Sequence, residues 1–170
     1  MHTPLVLTVI SADKPGLVES IAQVINRHGG NWLESRMARM AGQFAGILRV
    51  DIAEQKVEPL RIDLEGLTAQ GINVQVAISA QAELPQQNAL YLNLVGNDRP
   101  GIVHEVSQVL ARHGVNVEEL ETGCEPAPMS SEMLFRARAT LGVYPQTDLA
   151  DLRRDLENIA ADLMVELSDD

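Results

Sequence analysis

The residues best suited to bind a small charged ligand occur in one six-residue stretch that the chain contains twice. The first copy is Asp13-Lys14-Pro15-Gly16-Leu17-Val18, and the second, eighty-five positions later, is Asp98-Arg99-Pro100-Gly101-Ile102-Val103. A glycine at a helix start lets a ligand approach the backbone, where free N–H groups and the helix dipole favour an anion. A free amino acid carries such a carboxylate, and its ammonium group would need acceptors, for which Asn97, Asp98 and Asn116 are candidates. The alternative is a helix start that needs Pro and Gly only for its turn, and the motif by itself leaves both interpretations open.

The elements around each copy follow the same order. In the first half, periodicity predicts strands at 5–10, 31–40, 44–52 and 72–78, and helices at 15–28 and 57–70. Pro15 suits the first turn of a helix, Asp13 is placed to cap it, and Gly29 is expected as a left-handed C-cap. The second half predicts strands at 90–95, 116–122, 133–141 and 163–167, with helices at 101–113 and 148–162.

Two β-α-β-β-α-β units predict an α+β protein made of two tandem ferredoxin-like domains, each an antiparallel sheet with helices on one face. The predicted domains are residues 1–80 and 90–170. Residues 81–89 are polar, contain a proline and lack periodicity, which indicates a linker. Open sheet edges in such domains suggest pairing between the two halves or in a homodimer.

Composition excludes several classes of function. The net charge of −11 comes with scattered basic residues, which argues against direct binding of DNA or RNA. The chain has one cysteine, no apolar run of membrane-spanning length and no signal sequence at its start, so we expect a soluble cytoplasmic protein without a membrane anchor. His28 and His113 occupy equivalent helix ends, where they would interact with the last carbonyls. No residues show metal-ligand spacing, and no catalytic or cofactor-binding motif is present, so neither an enzyme nor a cofactor is expected.

Taken together, the apolar strand, Asp-Lys/Arg-Pro-Gly-Leu/Ile-Val, the amphipathic helix and His-Gly-x-Asn resemble the ACT domain, a regulatory module that binds amino acids. The resemblance recurs in both halves. Within the ACT proteins, the segments 31–44 and 127–130 are similar to those of the glycine cleavage system transcriptional repressor family. That resemblance implies a non-enzymatic repressor that senses glycine and binds a DNA-binding activator. The alternative is an amino-acid-responsive subunit that docks on a metabolic enzyme.

The resemblance also implies a ligand site between the β1–α1 turn of one domain and the edge of a neighbouring domain. The implied binding residues are Ala12, Asp13, Pro15, Gly16, Asn31, Asn97, Asp98, Pro100, Gly101 and Asn116, with Lys14 and Arg99 in the same turns. The first turn follows Ser11-Ala12, whereas the second follows Gly96-Asn97. The two turns are therefore not chemically equivalent, and the second is better equipped for a polar ligand.

Overall fold

A computed structural model describes residues 1–79 and 86–169 of the chain. The chain divides into two compact units, with the division between residues 82 and 83. Most of the predicted linker 81–89 lies outside the described residues, and its last two residues, Asn88 and Ala89, belong to the first strand of the second unit. None of the described helices is long and apolar enough to cross a membrane.

The first unit is a four-stranded antiparallel sheet with its helices on one face. Its elements are β1 (His2–Ala12), α1 (Leu17–Arg27), β2 (Asn31–Met40), β3 (Gln43–Ala53), α2 (Val57–Gly66) and β4 (Ile72–Ile78), and the strand order is β2-β3-β1-β4. Alternate residues of β1 and β3 point to the helices and are buried, among them Leu5, Leu7 and Leu48. The apolar stripe of α1 covers them because Ile21 and Ile25 lie one turn apart on the same face.

The second unit repeats this architecture. Its elements are β5 (Asn88–Asn97), α3 (Ile102–Arg112), β6 (Asn116–Pro126), β7 (Met133–Val143), α4 (Leu149–Glu157) and β8 (Met164–Ser168), and the strand order is β6-β7-β5-β8. Its core is again aliphatic, with Leu92, Leu141 and Leu152 almost completely buried. The prediction of two tandem βαββαβ domains of the α+β class is confirmed.

Several element ends differ from the predictions. Helix α1 begins at Leu17 rather than Pro15, and Asp13 does not cap it, because the N-cap is Gly16 in a left-handed conformation. The second predicted helix ends earlier, since Leu67–Gln70 tightens into a 3-10 turn. Helix α4 is only nine residues long and is capped by the side chain of Asp148. Strand β6 runs to Pro126, beyond the predicted end at residue 122, and so contains Cys124.

Candidate ligand-binding turns

The two repeated stretches form turns of the same backbone geometry. Gly16 and Gly101 are the N-cap residues of α1 and α3, with φ of 87° and 88°, and no side chain caps either helix. An L-residue is strained at such a φ, so glycine is required for this helix entry. The first N–H groups of each helix therefore have neither an intrahelical partner nor a side-chain partner at the N-cap. Both turns therefore present free backbone N–H groups of the kind that can bind an anion.

Residues of the first turn form hydrogen bonds and an ion pair with other residues of the first unit. The backbone N–H of Asp13 donates to the carbonyl of Gly42 at 2.9 Å, which ties the turn to the β2–β3 hairpin. The Asp13 carboxylate lies 3.6 Å from Nη1 of Arg39, and the ammonium group of Lys14 donates to the carbonyl of Gln70 at 2.6 Å. The acidic side chain of this turn thus already faces a guanidinium group.

The second turn has the same backbone bond but different side-chain partners. The N–H of Asp98 donates to the carbonyl of Met133 at 2.9 Å. Arg99 donates two hydrogen bonds to Glu105 in the first turn of α3, at 2.9 and 2.5 Å. This pairing raises the pKa of the Arg99 guanidinium and lowers the pKa of the Glu105 carboxyl. The one arginine of the turn is therefore bound to a carboxylate on its own helix.

The sequence did not predict that a distant carboxylate belongs to this turn. The backbone N–H of Asn97 donates to Oδ2 of Asp162 at 2.7 Å. A Cβ atom on Gly96 would lie 2.8 Å from Cδ1 of Leu163 and 3.4 Å from Oδ2 of Asp162, so a larger residue would require the Leu163 side chain to shift. Asp162 precedes β8, sixty-five positions from Asn97, and no local pattern links the two. In the sequence, the difference between Ser11-Ala12 and Gly96-Asn97 indicates a more polar second turn but does not identify Asp162 as its partner.

The predicted asparagines lie at the other end of each sheet. Asn31 pairs with Asp51, whereas the first turn follows Ala12, which pairs with Gln43. In the second unit, Asn116 pairs with Gly142 near the start of β5. Strands rise about 3.3 Å per residue, so each asparagine is separated from the turn of its own unit by most of a strand length. In the first unit, residues 12–16 lie together and Asn31 is distant from them. In the second unit, residues 97–101 lie together and Asn116 is distant from them.

The two equivalent histidines bind side chains rather than the helix-end carbonyls that the sequence suggested. Nε2 of His28 lies 2.8 Å from Oδ2 of Asp63 on α2, and Nε2 of His113 lies 2.8 Å from Oδ2 of Asp155 on α4. Each pair joins the two helices of its unit. Among residues 1–79 and 86–169, no cluster of three or more His, Cys, Asp or Glu side chains could hold a metal ion.

Comparison with known proteins gives matches over both units. Sequence models of the ACT domain match residues 3–77 and residues 90–159. The glycine cleavage system transcriptional repressor of Escherichia coli strain K12 is 20% identical over 161 residues, which cover 94% of this chain and 85% of that protein.

Two solved structures are similar in fold over almost the whole chain. An unknown protein from Galdieria sulphuraria is 26% identical, with a TM-score of 0.86 over 99% of this chain and 98% of the other. A proposed glycine cleavage system transcriptional repressor is 16% identical, with a TM-score of 0.67 over 99% and 97% of the two chains. At that identity, the second likeness concerns the fold alone.

Proposed function

Because the chain belongs to the ACT-domain family, with two ACT domains in tandem, we propose that it is a regulatory protein that senses a small amino acid and catalyses no reaction itself. The effector we propose is glycine. The output is repression of glycine cleavage genes through contact with a DNA-binding activator, in the cytoplasm. The similarity to the repressor of Escherichia coli supports this choice of effector and output. The net charge of −11 supports contact with a protein rather than with DNA.

The observation that carries the proposal is the second turn. It combines the uncapped helix start at Gly101 with the carboxylate of Asp98, so it offers donors for an anion and an acceptor for a cation within one short segment. A free amino acid is a zwitterion with this pair of charges. Its carboxylate would accept hydrogen bonds from the N–H groups of Ile102 and Val103, and its ammonium group would donate to Asp98. Ala12, Asp13, Pro15 and Gly16 form the weaker candidate.

Isothermal titration calorimetry of the full chain with each of the twenty amino acids tests the sensing step. We expect glycine to bind. Asp98→Asn should weaken the binding about tenfold or more, since a hydrogen bond to a charged group contributes roughly 1.5–3 kcal/mol. Asp13→Asn, the matched change in the first turn, should leave the affinity within about twofold of wild type. If none of the twenty amino acids binds, the sensing function is wrong; equal losses in the two variants would contradict the choice of turn.

Affinity capture tests the output. The purified full chain is immobilised with and without glycine and exposed to a lysate of its source, and retained proteins are identified by mass spectrometry. We expect one DNA-binding protein whose retention changes with glycine, while the chain alone does not shift a DNA probe in a gel. Recovery of a metabolic enzyme and no DNA-binding protein would replace the repressor role with that of an enzyme subunit.

A further inference from the structure

Arg39 and Cys124 occupy the same place in the two units. Arg39 of β2 pairs with Phe44 of β3, which pairs with Ser11 of β1. Cys124 of β6 pairs with Phe135 of β7, which pairs with Gly96 of β5. Both residues therefore lie on an edge strand, level with the residue that comes two positions before the aspartate of the turn.

Each of these residues neighbours the aspartate of its turn, but one is a cation and the other is neutral. Nη1 of Arg39 lies 3.6 Å from Oδ2 of Asp13, so a full positive charge faces the first turn. Cys124 lies beside the Asp98 carboxylate, and desolvation together with that carboxylate raises the pKa of its thiol. The thiol is therefore protonated and neutral at physiological pH. The Asp13 carboxylate is paired with a cation, whereas the Asp98 carboxylate has a neutral neighbour at the equivalent position.

Among residues 1–79 and 86–169, no cation forms an ion pair with Asp98 as Arg39 does with Asp13. The nearest one in sequence, Arg99, is held by both oxygens of Glu105. Asp162 adds a further negative charge through its bond to the N–H of Asn97. Among the described residues, the Asp13 carboxylate forms an ion pair and the Asp98 carboxylate does not.

An incoming ammonium group would meet different environments at the two turns. Two charges a few ångströms apart interact several times more strongly near a protein surface than in bulk water. At the first turn, attraction to Asp13 would be offset by repulsion from Arg39. At the second turn, the ammonium would meet Asp98 with the neutral Cys124, rather than an arginine, at the equivalent edge-strand position.

We propose that the residue at this edge-strand position decides which turn accepts an ammonium group: Arg39 closes the first turn to it, and Cys124 leaves the second turn open. The inference rests on the proposed function for the identity of the ligand, but not for the difference between the turns. It also assigns Cys124 a role as a small neutral neighbour of Asp98 rather than as a nucleophile.

Exchanging the two residues in the full chain tests the proposal. The variants are Cys124→Arg and Arg39→Cys, with Cys124→Ser as the matched neutral control. Two-dimensional 1H–15N NMR follows the amides of Asp13, Leu17, Asp98 and Ile102 during titration with glycine and, separately, with methylammonium chloride, which is an ammonium group without a carboxylate. Because Arg39 and Cys124 are on exposed strand edges, the spectra should show that the variants keep the fold.

In the wild type and in Cys124→Ser, we expect both probes to shift only the amides of the second turn. Cys124→Arg should weaken those shifts at least tenfold in apparent affinity, and Arg39→Cys should add shifts at the first turn. Wild-type response at the second turn of Cys124→Arg, or equal response of both turns in the wild type, would overturn the proposal. If glycine has no effect while methylammonium follows the expected pattern, the proposed sensing function fails and this inference stands.

Discussion

Leu7 and Leu92 occupy equivalent places in the two cores, and truncating either one should unfold only its own unit. Leu7 is completely buried between its strand partners Leu48 and Val76, and Leu92 is 2% exposed between Ala139 and Leu167. Replacing a core leucine with alanine costs about 2–5 kcal/mol. A unit of this size is expected to be stable by only about 4–12 kcal/mol. With a urea m-value of about 1 kcal/mol/M, the midpoint should fall by about 2–5 M, or the unit should be unfolded without urea.

The single tryptophan makes the assay specific for one unit. Trp32 lies on β2 and packs against the core of the first unit, so its emission on selective excitation reports the unfolding of that unit. Far-ultraviolet circular dichroism follows both units. Leu7→Ala should move the tryptophan transition to lower urea, and Leu92→Ala should leave it in place while lowering the dichroism midpoint. A tryptophan midpoint that falls equally in both variants would refute the division into two separately stable cores.

Two further changes test single contacts. Gly96→Ser introduces into the second unit the residue that the first unit has at the equivalent position, and its Cβ would lie 2.8 Å from Cδ1 of Leu163. We expect the free energy of unfolding, measured by urea denaturation, to fall by about 1–3 kcal/mol. Ser11→Gly is the reciprocal control. The hydrogen bond from His113 holds the pKa of Asp155 below its ordinary value of 3.8. That stabilisation is present above pH 3.8 and lost as the pH falls through the lowered pKa. Thermal midpoints of wild type and Asp155→Asn should therefore differ at pH 6 and converge in strong acid; a constant difference across that range would exclude this carboxylate as the cause.

The sequence predicted those features that depend on local pattern. Apolar alternation gave the strands, and the 3.6-residue period gave the helices, because each of these elements buries one face. The repeated Pro-Gly gave the location of both turns, since a left-handed residue is needed at Gly16 and Gly101. Helix α1 nevertheless starts two residues after Pro15, because the helix entry is made by Gly16 and not by the proline.

The features that the sequence could not predict depend on residues far apart in the chain. Asp162 reaches the second turn from sixty-five positions away, and only the register of β5 with β8 brings it there. The His–Asp pairs bridge 35 positions in the first unit and 42 in the second. A histidine and an aspartate recur at equivalent places in both halves of the sequence. The pairing between them can be seen only when the two helices of one unit are aligned with the two helices of the other. The positive charge of Arg39 and the neutral thiol of Cys124 come to equivalent places only through the strand registers of the two sheets.

The two units share one fold but differ in charge. Residues 1–79 contain seven Lys and Arg against eight Asp and Glu, whereas residues 86–169 contain six against fourteen. The second unit is thus the more acidic one, and it also contains the turn that we propose binds the ammonium group. A basic surface on a protein partner would be attracted mainly to that unit, and such attraction weakens with salt. Glycine is a zwitterion and adds no net charge when it binds, so we expect its effect on partner affinity to come from altered non-ionic contacts. The salt dependence of partner binding should therefore have the same slope with and without glycine, while the affinity at each salt concentration differs.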